Sequence, residues 1–93
     1  MTYTIKYSTQ FKKSLKKCQK RGLDMEEFRT VALILTQKGT LPLKYKPHQL
    51  IGKYKGCWEC HIEPDWLLIW TKNEKELILL FIDTGTHSDL FGM

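Results

Sequence analysis

Residues 57–82, CWECHIEPDWLLIWTKNEKELILLFI, decide the fold. From Cys57 onward apolar side chains fall on every second position. Trp58, Cys60 and Ile62 share one side and Glu59, His61 and Glu63 the other, as in a strand with one face in a core. Pro64-Asp65 supplies a turn, with proline presetting the backbone angle at its first central position. Trp66 to Thr71 returns as a second strand, Lys72-Asn73-Glu74-Lys75 turns again, and Leu77 to Ile82 forms a third. The last two strands are apolar on both faces, which puts them at the centre of a sheet.

Upstream, Thr2 to Tyr7 alternates apolar with polar residues and reads as an opening strand. Ser8 caps a helix in which Phe11, Leu15 and Cys18 form the buried stripe. Lys12, Lys13, Lys16, Lys17 and Lys20 fill its other faces, and Arg21-Gly22 ends it. Asp24 to Glu27 has the pattern of a capping box, with Glu27 placed to reach back to the cap. The second helix buries Met25, Phe28, Val31, Ala32 and Leu35 and closes at Lys38-Gly39. The expected fold is therefore α+β: β-α-α, then an antiparallel β-meander, with both helices packed on one face of a twisted sheet. After Asp83, residues His87 to Phe91 make one short C-terminal helical turn.

Ninety-three residues fit a single domain, here 1–93. The longest apolar run is too short to cross a bilayer, and the N-terminus lacks the apolar core of an export signal, so no membrane association and a cytoplasmic location are expected. The net charge of +5 is segregated. Residues 1–55 hold thirteen Lys/Arg against three Asp/Glu, and residues 56–93 hold two against seven. The basic part favours a polyanion through counterion release and electrostatic steering, though an acidic protein would meet the same charges. Residues 40–56 form a long connector in which Lys44, Lys46, Lys53 and Lys55 alternate with Tyr45 and Tyr54. That composition suits phosphate neutralisation and base stacking.

Cys57-Trp58-Glu59-Cys60-His61 matches the attachment signature of c-type haem. The match is set aside, because haem attachment follows export and a strand would put Cys57 and Cys60 on opposite faces. Cys18 and Cys60 read as buried hydrophobes and Cys57 as exposed. No second pair of ligands completes a zinc set, so neither metal nor cofactor is expected. Walker spacing and a hydrolase elbow are both missing. What remains is three histidines, His48, His61 and His87, each beside a turn signal, with Asp65 in the tight turn after His61.

Three stretches carry a resemblance: Lys46-Pro47-His48-Gln49-Leu50-Ile51-Gly52, Cys60-His61-Ile62-Glu63-Pro64-Asp65-Trp66 and Thr84-Gly85-Thr86-His87-Ser88-Asp89-Leu90-Phe91-Gly92. Together they resemble YafQ-type toxins of the RelE-like superfamily of bacterial toxin–antitoxin systems. Cys57 and Cys60 depart from the family's pattern, and Met93 extends its usual end. The resemblance implies an endoribonuclease that cuts mRNA at the decoding site of the 70S ribosome and is neutralised by a cognate antitoxin. It also implies catalytic roles for His48, His61, Asp65 and His87, and substrate contacts for Trp66 and Phe91.

RNA cleavage without a metal uses the adjacent 2′-hydroxyl as nucleophile, leaving a 2′,3′-cyclic phosphate and a 5′-hydroxyl. A base takes the hydroxyl proton and an acid protonates the departing oxygen. Imidazole, with an unperturbed pKa of about 6.5, suits both steps. His87 is the expected acid, Asp65 and His48 compete as base, and His61 holds the phosphate. Lys53 and Lys55 are candidate phosphate contacts, and the five lysines of the first helix are placed against ribosomal RNA. Two other readings stay open: a non-nuclease toxin of the same fold that binds a protein such as DNA gyrase, and a small basic nucleic-acid-binding module.

Overall fold

The computed structural model describes residues 2–92, so Met93 lies outside the described residues. Strand β1 (Thr4–Tyr7) leads into helices α1 (Thr9–Lys20) and α2 (Met25–Lys38). A 3-10 turn (Leu43–Tyr45), the two-residue strand β2 (His48–Gln49) and a second 3-10 turn (Gly52–Tyr54) make up the basic connector. Strands β3 (Trp58–Glu63), β4 (Trp66–Asn73) and β5 (Ile78–Gly85) follow, and helix α3 (His87–Phe91) comes last. The sheet order is β1-β5-β4-β3-β2. The meander is antiparallel as expected. The opening strand joins it at the far edge, parallel to β5, so β4 and β5 are both interior.

Helices α1 and α2 cover one face of the sheet. Phe11 and Cys18 of α1 and Phe28, Val31 and Leu35 of α2 meet Cys60, Trp66, Leu68, Trp70, Leu79 and Phe81 in the main core. Phe81 sits edge-on to both Phe11 and Phe28. The alternate residues of the central strands, Leu67 and Ile69, join Cys57 and Leu90 in a smaller core on the other face. That core is closed by α3 and the connector rather than by a long helix. The two-sided burial of β4 thus has two different causes.

Several local expectations change. Ser14 is buried in α1, donating to Asp83 Oδ1 at 2.6 Å, while Leu15 is only half-buried. The α2 stripe holds at Phe28, Val31 and Leu35, with Met25 and Ala32 partly covered. Asp24 caps α2 by accepting from Glu26 N, but the reciprocal bond expected from Glu27 does not form. A complete capping box occurs instead at the short helix α3, between Thr86 and Asp89.

Candidate active site

The site is built on the face of the sheet that α1 and α2 leave uncovered. His48 pairs with Glu59 across β2 and β3, and His61 lies two residues further along β3. Cross-strand pairs share a face and residues two apart share it too, so all three side chains emerge together. Diagonal neighbours of this kind sit about 7–8 Å apart at Cα. After His61 the register slips against β4, and the turn that follows brings Asp65 to the end of the sheet.

Helix α3 carries His87 to the same place. Thr86 and Asp89 cap it reciprocally, and Arg21 at the end of α1 grips the Asp89 carboxylate with two nitrogens, at 2.5 and 3.2 Å. Gly85 is required by this approach. Its φ is +155°, and a Cβ there would lie 2.8 Å from the Asp89 side chain. The Asp89 carboxyl is pulled down to about 2, chiefly by the Arg21 guanidinium and then by the Thr86 backbone N–H.

Asp65 Oδ1 accepts from the His87 backbone N–H at 2.9 Å and from the His87 ring Nδ1 at 2.6 Å. Those bonds, backbone first, hold the Asp65 carboxyl below the usual carboxylate range. The ring is therefore fixed with Nδ1 as donor and Nε2 left for chemistry. His61 stands edge-on to His87, ring centres 5.6 Å apart, with its own Nδ1 3.3 Å from the Pro64 carbonyl.

His48 is held differently. Its Nδ1 lies 2.8 Å from the Lys46 carbonyl, which a left-handed backbone at Lys46 (φ +51°) turns towards it. Its Nε2 lies 3.1 Å from Glu59 Oε1. Glu59 is 5% exposed, and its second oxygen has no partner among the described residues. Both nitrogens of His48 thus face acceptors, and a proton must sit between the ring and Glu59.

Known proteins share this arrangement of elements. The YafQ family model, described as a bacterial toxin of type II toxin–antitoxin systems, matches residues 3–92. The chain belongs to the YafQ toxin family. It is 43% identical to the mRNA interferase toxin YafQ of Escherichia coli K12 over 95% of each chain. It is also similar to the YafQ subunit of the E. coli DinJ–YafQ toxin–antitoxin complex (TM-score 0.88, 40% identity, 99% and 100% of the two chains). A metal-bound toxin from Helicobacter pylori superposes as well (TM-score 0.86, 38% identity, 98% and 100%). The helices-then-meander order of this YafQ-family chain agrees with those structures.

The remaining candidates divide. Phe91 is 37% exposed and meets Tyr54 edge-on at 5.9 Å, while Lys53 lies over the Tyr54 ring. These three residues rim the site beside α3, and Lys55 is exposed nearby. Trp66 corrects the expectation of a substrate contact. It is 1% exposed in the main core, with its indole N–H donating to Thr84 Oγ1 at 2.9 Å, because it opens β4 on the helix-covered face. Cys57 is buried too, in the smaller core, contrary to the exposure expected of it, and burial raises its thiol. Cys60 lies in the main core, so the two cysteines take opposite faces of β3. Lys12, Lys13, Lys16, Lys17 and Lys20 are all exposed, on a helix that covers the face opposite the histidines. Among the described residues no group of three metal-ligating side chains is brought together, and no helix is long and apolar enough to cross a membrane.

Sequence reasoning misses three participants. Glu59 shares the His61 face by simple alternation, so its position is legible but its burial is not. Tyr54 is visible only as composition. The Arg21–Asp89 bridge, between residues 68 apart in sequence, leaves no local trace, although Thr86-x-x-Asp89 carries the signature of a capping box.

Proposed function

We propose that this chain, one toxin domain over residues 1–93, is an endoribonuclease that cuts mRNA on the 70S ribosome, in the cytoplasm, and is silenced by a cognate antitoxin. The observation that carries the reading is the Asp65–His87 pair standing edge-on to His61. One ring is oriented by a carboxylate and its neighbour by a carbonyl, the two states that acid and base catalysis need. The names of the E. coli relative and of its DinJ complex support the substrate and the antitoxin.

His87 acts as general acid. Asp65 holds its Nδ1 and so aims Nε2 outward, and Nε2–H is delivered to the departing 5′-oxygen. Asp65 is a poor base, since its Oδ1 already accepts twice from His87 and its charge is stabilised. His48 is also a poor base, lacking a bare nitrogen between Lys46 and Glu59. That leaves His61. With Nδ1–H given to the Pro64 carbonyl, its Nε2 lone pair takes the 2′-hydroxyl proton. The oxygen attacks phosphorus, the P–O5′ bond breaks, and a 2′,3′-cyclic phosphate and a 5′-hydroxyl result. His48, sharing its proton with Glu59, stabilises the developing phosphorane charge. Lys53 and Lys55 neutralise the strand, Phe91 walls a base, and the α1 lysines hold ribosomal RNA on the far side.

The test adds purified protein to translating ribosomes and maps the 5′ ends of the message. New 5′-hydroxyl ends are expected with the wild type and not with His87→Ala. Equal cleavage by the two proteins would overturn the assignment.

A further inference from the structure

At the edge of β3, where His61 meets the helix-covered side of the sheet, a groove of about 380 Å³ runs between the 3-10 turn Leu43–Tyr45 and the end of β3, and its lining takes in His61 but not His87. It is lined by Glu27, Lys44, Tyr45, His61, Ile62 and Glu63 among others. Proton transfer at the scissile bond uses His61 but not the groove behind it. Its volume lies within the roughly 300–1,000 Å³ range of small-ligand sites. The other cavity of note, between α1 and β5, is about 110 Å³ and too small for a nucleotide.

We infer that this groove is the subsite for the nucleotide on the 5′ side of the scissile bond, occupied through its base and its phosphate. The inference rests on the ribonuclease reading and gives it a direction. His87 protonates the 5′-oxygen, so the downstream nucleotide lies towards α3. His61 takes the 2′-hydroxyl proton, so the upstream ribose, which carries that hydroxyl, lies towards the groove. Since His61 lines the groove itself, the base of a ribose held at its ring is assigned to the cleft.

The lining has the chemistry for this ligand. Tyr45, packed into the main core, forms the apolar floor, and Lys44 Nζ lies 5.0 Å from its ring centre. Lys44 and the neighbouring Lys46 supply cations to a phosphate. Glu27 and Glu63 are carboxylates, which accept from the amino groups of guanine, adenine and cytosine but find no such donor on uracil. Glu27 is free for this role because it makes no capping bond with Asp24 through its side chain. The groove therefore prefers amino-bearing bases.

Nucleoside 3′-monophosphates, which the enzyme cannot cleave, probe the subsite without a ribosome. Titration of the wild type, followed by amide NMR, is expected to move Tyr45 and Ile62 signals, with uridine 3′-phosphate binding weakest. Lys44→Ala should weaken the 3′-nucleotides roughly fivefold or more, and Glu27→Gln should narrow the gap between uridine and cytidine. Nucleoside 5′-monophosphates, which lack the 3′-phosphate, should be indifferent to Lys44→Ala. Both side chains reach the surface, and unchanged amide spectra of the free variants show that they fold. If Lys44→Ala binds 3′-nucleotides as the wild type does, the subsite is wrong. It is equally wrong if the variant loses only antitoxin affinity, since the groove then belongs to the protein partner. Neither result touches the ribonuclease reading, whose own failure would appear as equal message cleavage by wild type and His87→Ala.

Discussion

The two faces of this sheet obey different rules. Under α1 and α2 the side chains are large, apolar and almost fully buried, and each is placed by a periodicity that runs along its own element. On the other face a small apolar patch is ringed by imidazoles and carboxylates that come from β2, β3, the β3–β4 turn and α3. No single segment contains that site. The first face carries stability because continuous elements can bury area there. The second carries chemistry because loop ends can be brought together once the first is fixed.

The sharpest way to break this division is at His87. Replacing it with alanine removes an exposed ring whose partner, Asp65, has a side chain 65% exposed and open to water. Cleavage should fall by roughly two to four powers of ten. Stability should change by less than about 0.5 kcal/mol. A large drop in melting temperature in that variant would mean that the second face is structural as well.

Trp66 tests the opposite face. Its side chain is enclosed by the main core, and Trp66→Ala should cost about 3–5 kcal/mol in chemical denaturation. Trp66→Phe keeps most of the packing and loses the bond to Thr84, which still donates to the Leu67 carbonyl. It should cost about 1–2 kcal/mol while leaving cleavage per folded molecule within a few-fold. A folded Trp66→Phe protein without activity would return Trp66 to the substrate.

The same division explains what a sequence can show. Period two in Cys57–Ile62 and the helical stripe at Phe28, Val31 and Leu35 are local patterns, and they suffice for the strand order of the meander and for the core. The buried stripe of α1 departs from its pattern at Ser14, because a serine inside a core is legible only when its acceptor, Asp83, is known to lie opposite. Trp66 escapes for a related reason. A tryptophan next to a catalytic turn looks like a stacking platform until the strand register shows which face it takes. His48, His61, Asp65 and His87 do share one face, with Asp65 and His61 both in contact with His87. Their protonation logic stays hidden in the sequence, because it depends on Lys46, Pro64 and Glu59 as acceptors.

His48 should behave unlike His87 although both pair with a carboxylate. Glu59 is buried, so His48→Ala leaves a carboxyl group without its partner where water does not reach it, at a cost of about 1–3 kcal/mol. Replacing both partners with apolar residues, as in His48→Ala with Glu59→Leu, should recover most of that loss. A double-mutant cycle by urea denaturation reads the coupling. Additive losses would show that the pair shares no proton and would reopen His48 as a base.

The smallest effect is expected where the two faces are tied together, at Arg21–Asp89. The bridge joins α1 to α3 in good geometry, but its side chains are 46% and 32% exposed, so solvent screens it and its contribution to stability is small. Its pH signature is distinctive. The Asp89 carboxyl is depressed to about 2 in the folded chain, below the unfolded value of about 4. The unfolded state therefore binds the proton first as pH falls. The contribution is complete above about pH 4 and lost between there and about pH 2. Arg21→Ala should flatten the stability curve in that window and leave it parallel to the wild type above it. If Asp89 also sets the angle of α3, kcat should drop with KM unchanged, because His87 is then mis-aimed while the groove and the lysines are intact. Arg21→Lys, which keeps the charge but loses the two-pronged grip, should restore the acid-limb stability and only part of kcat.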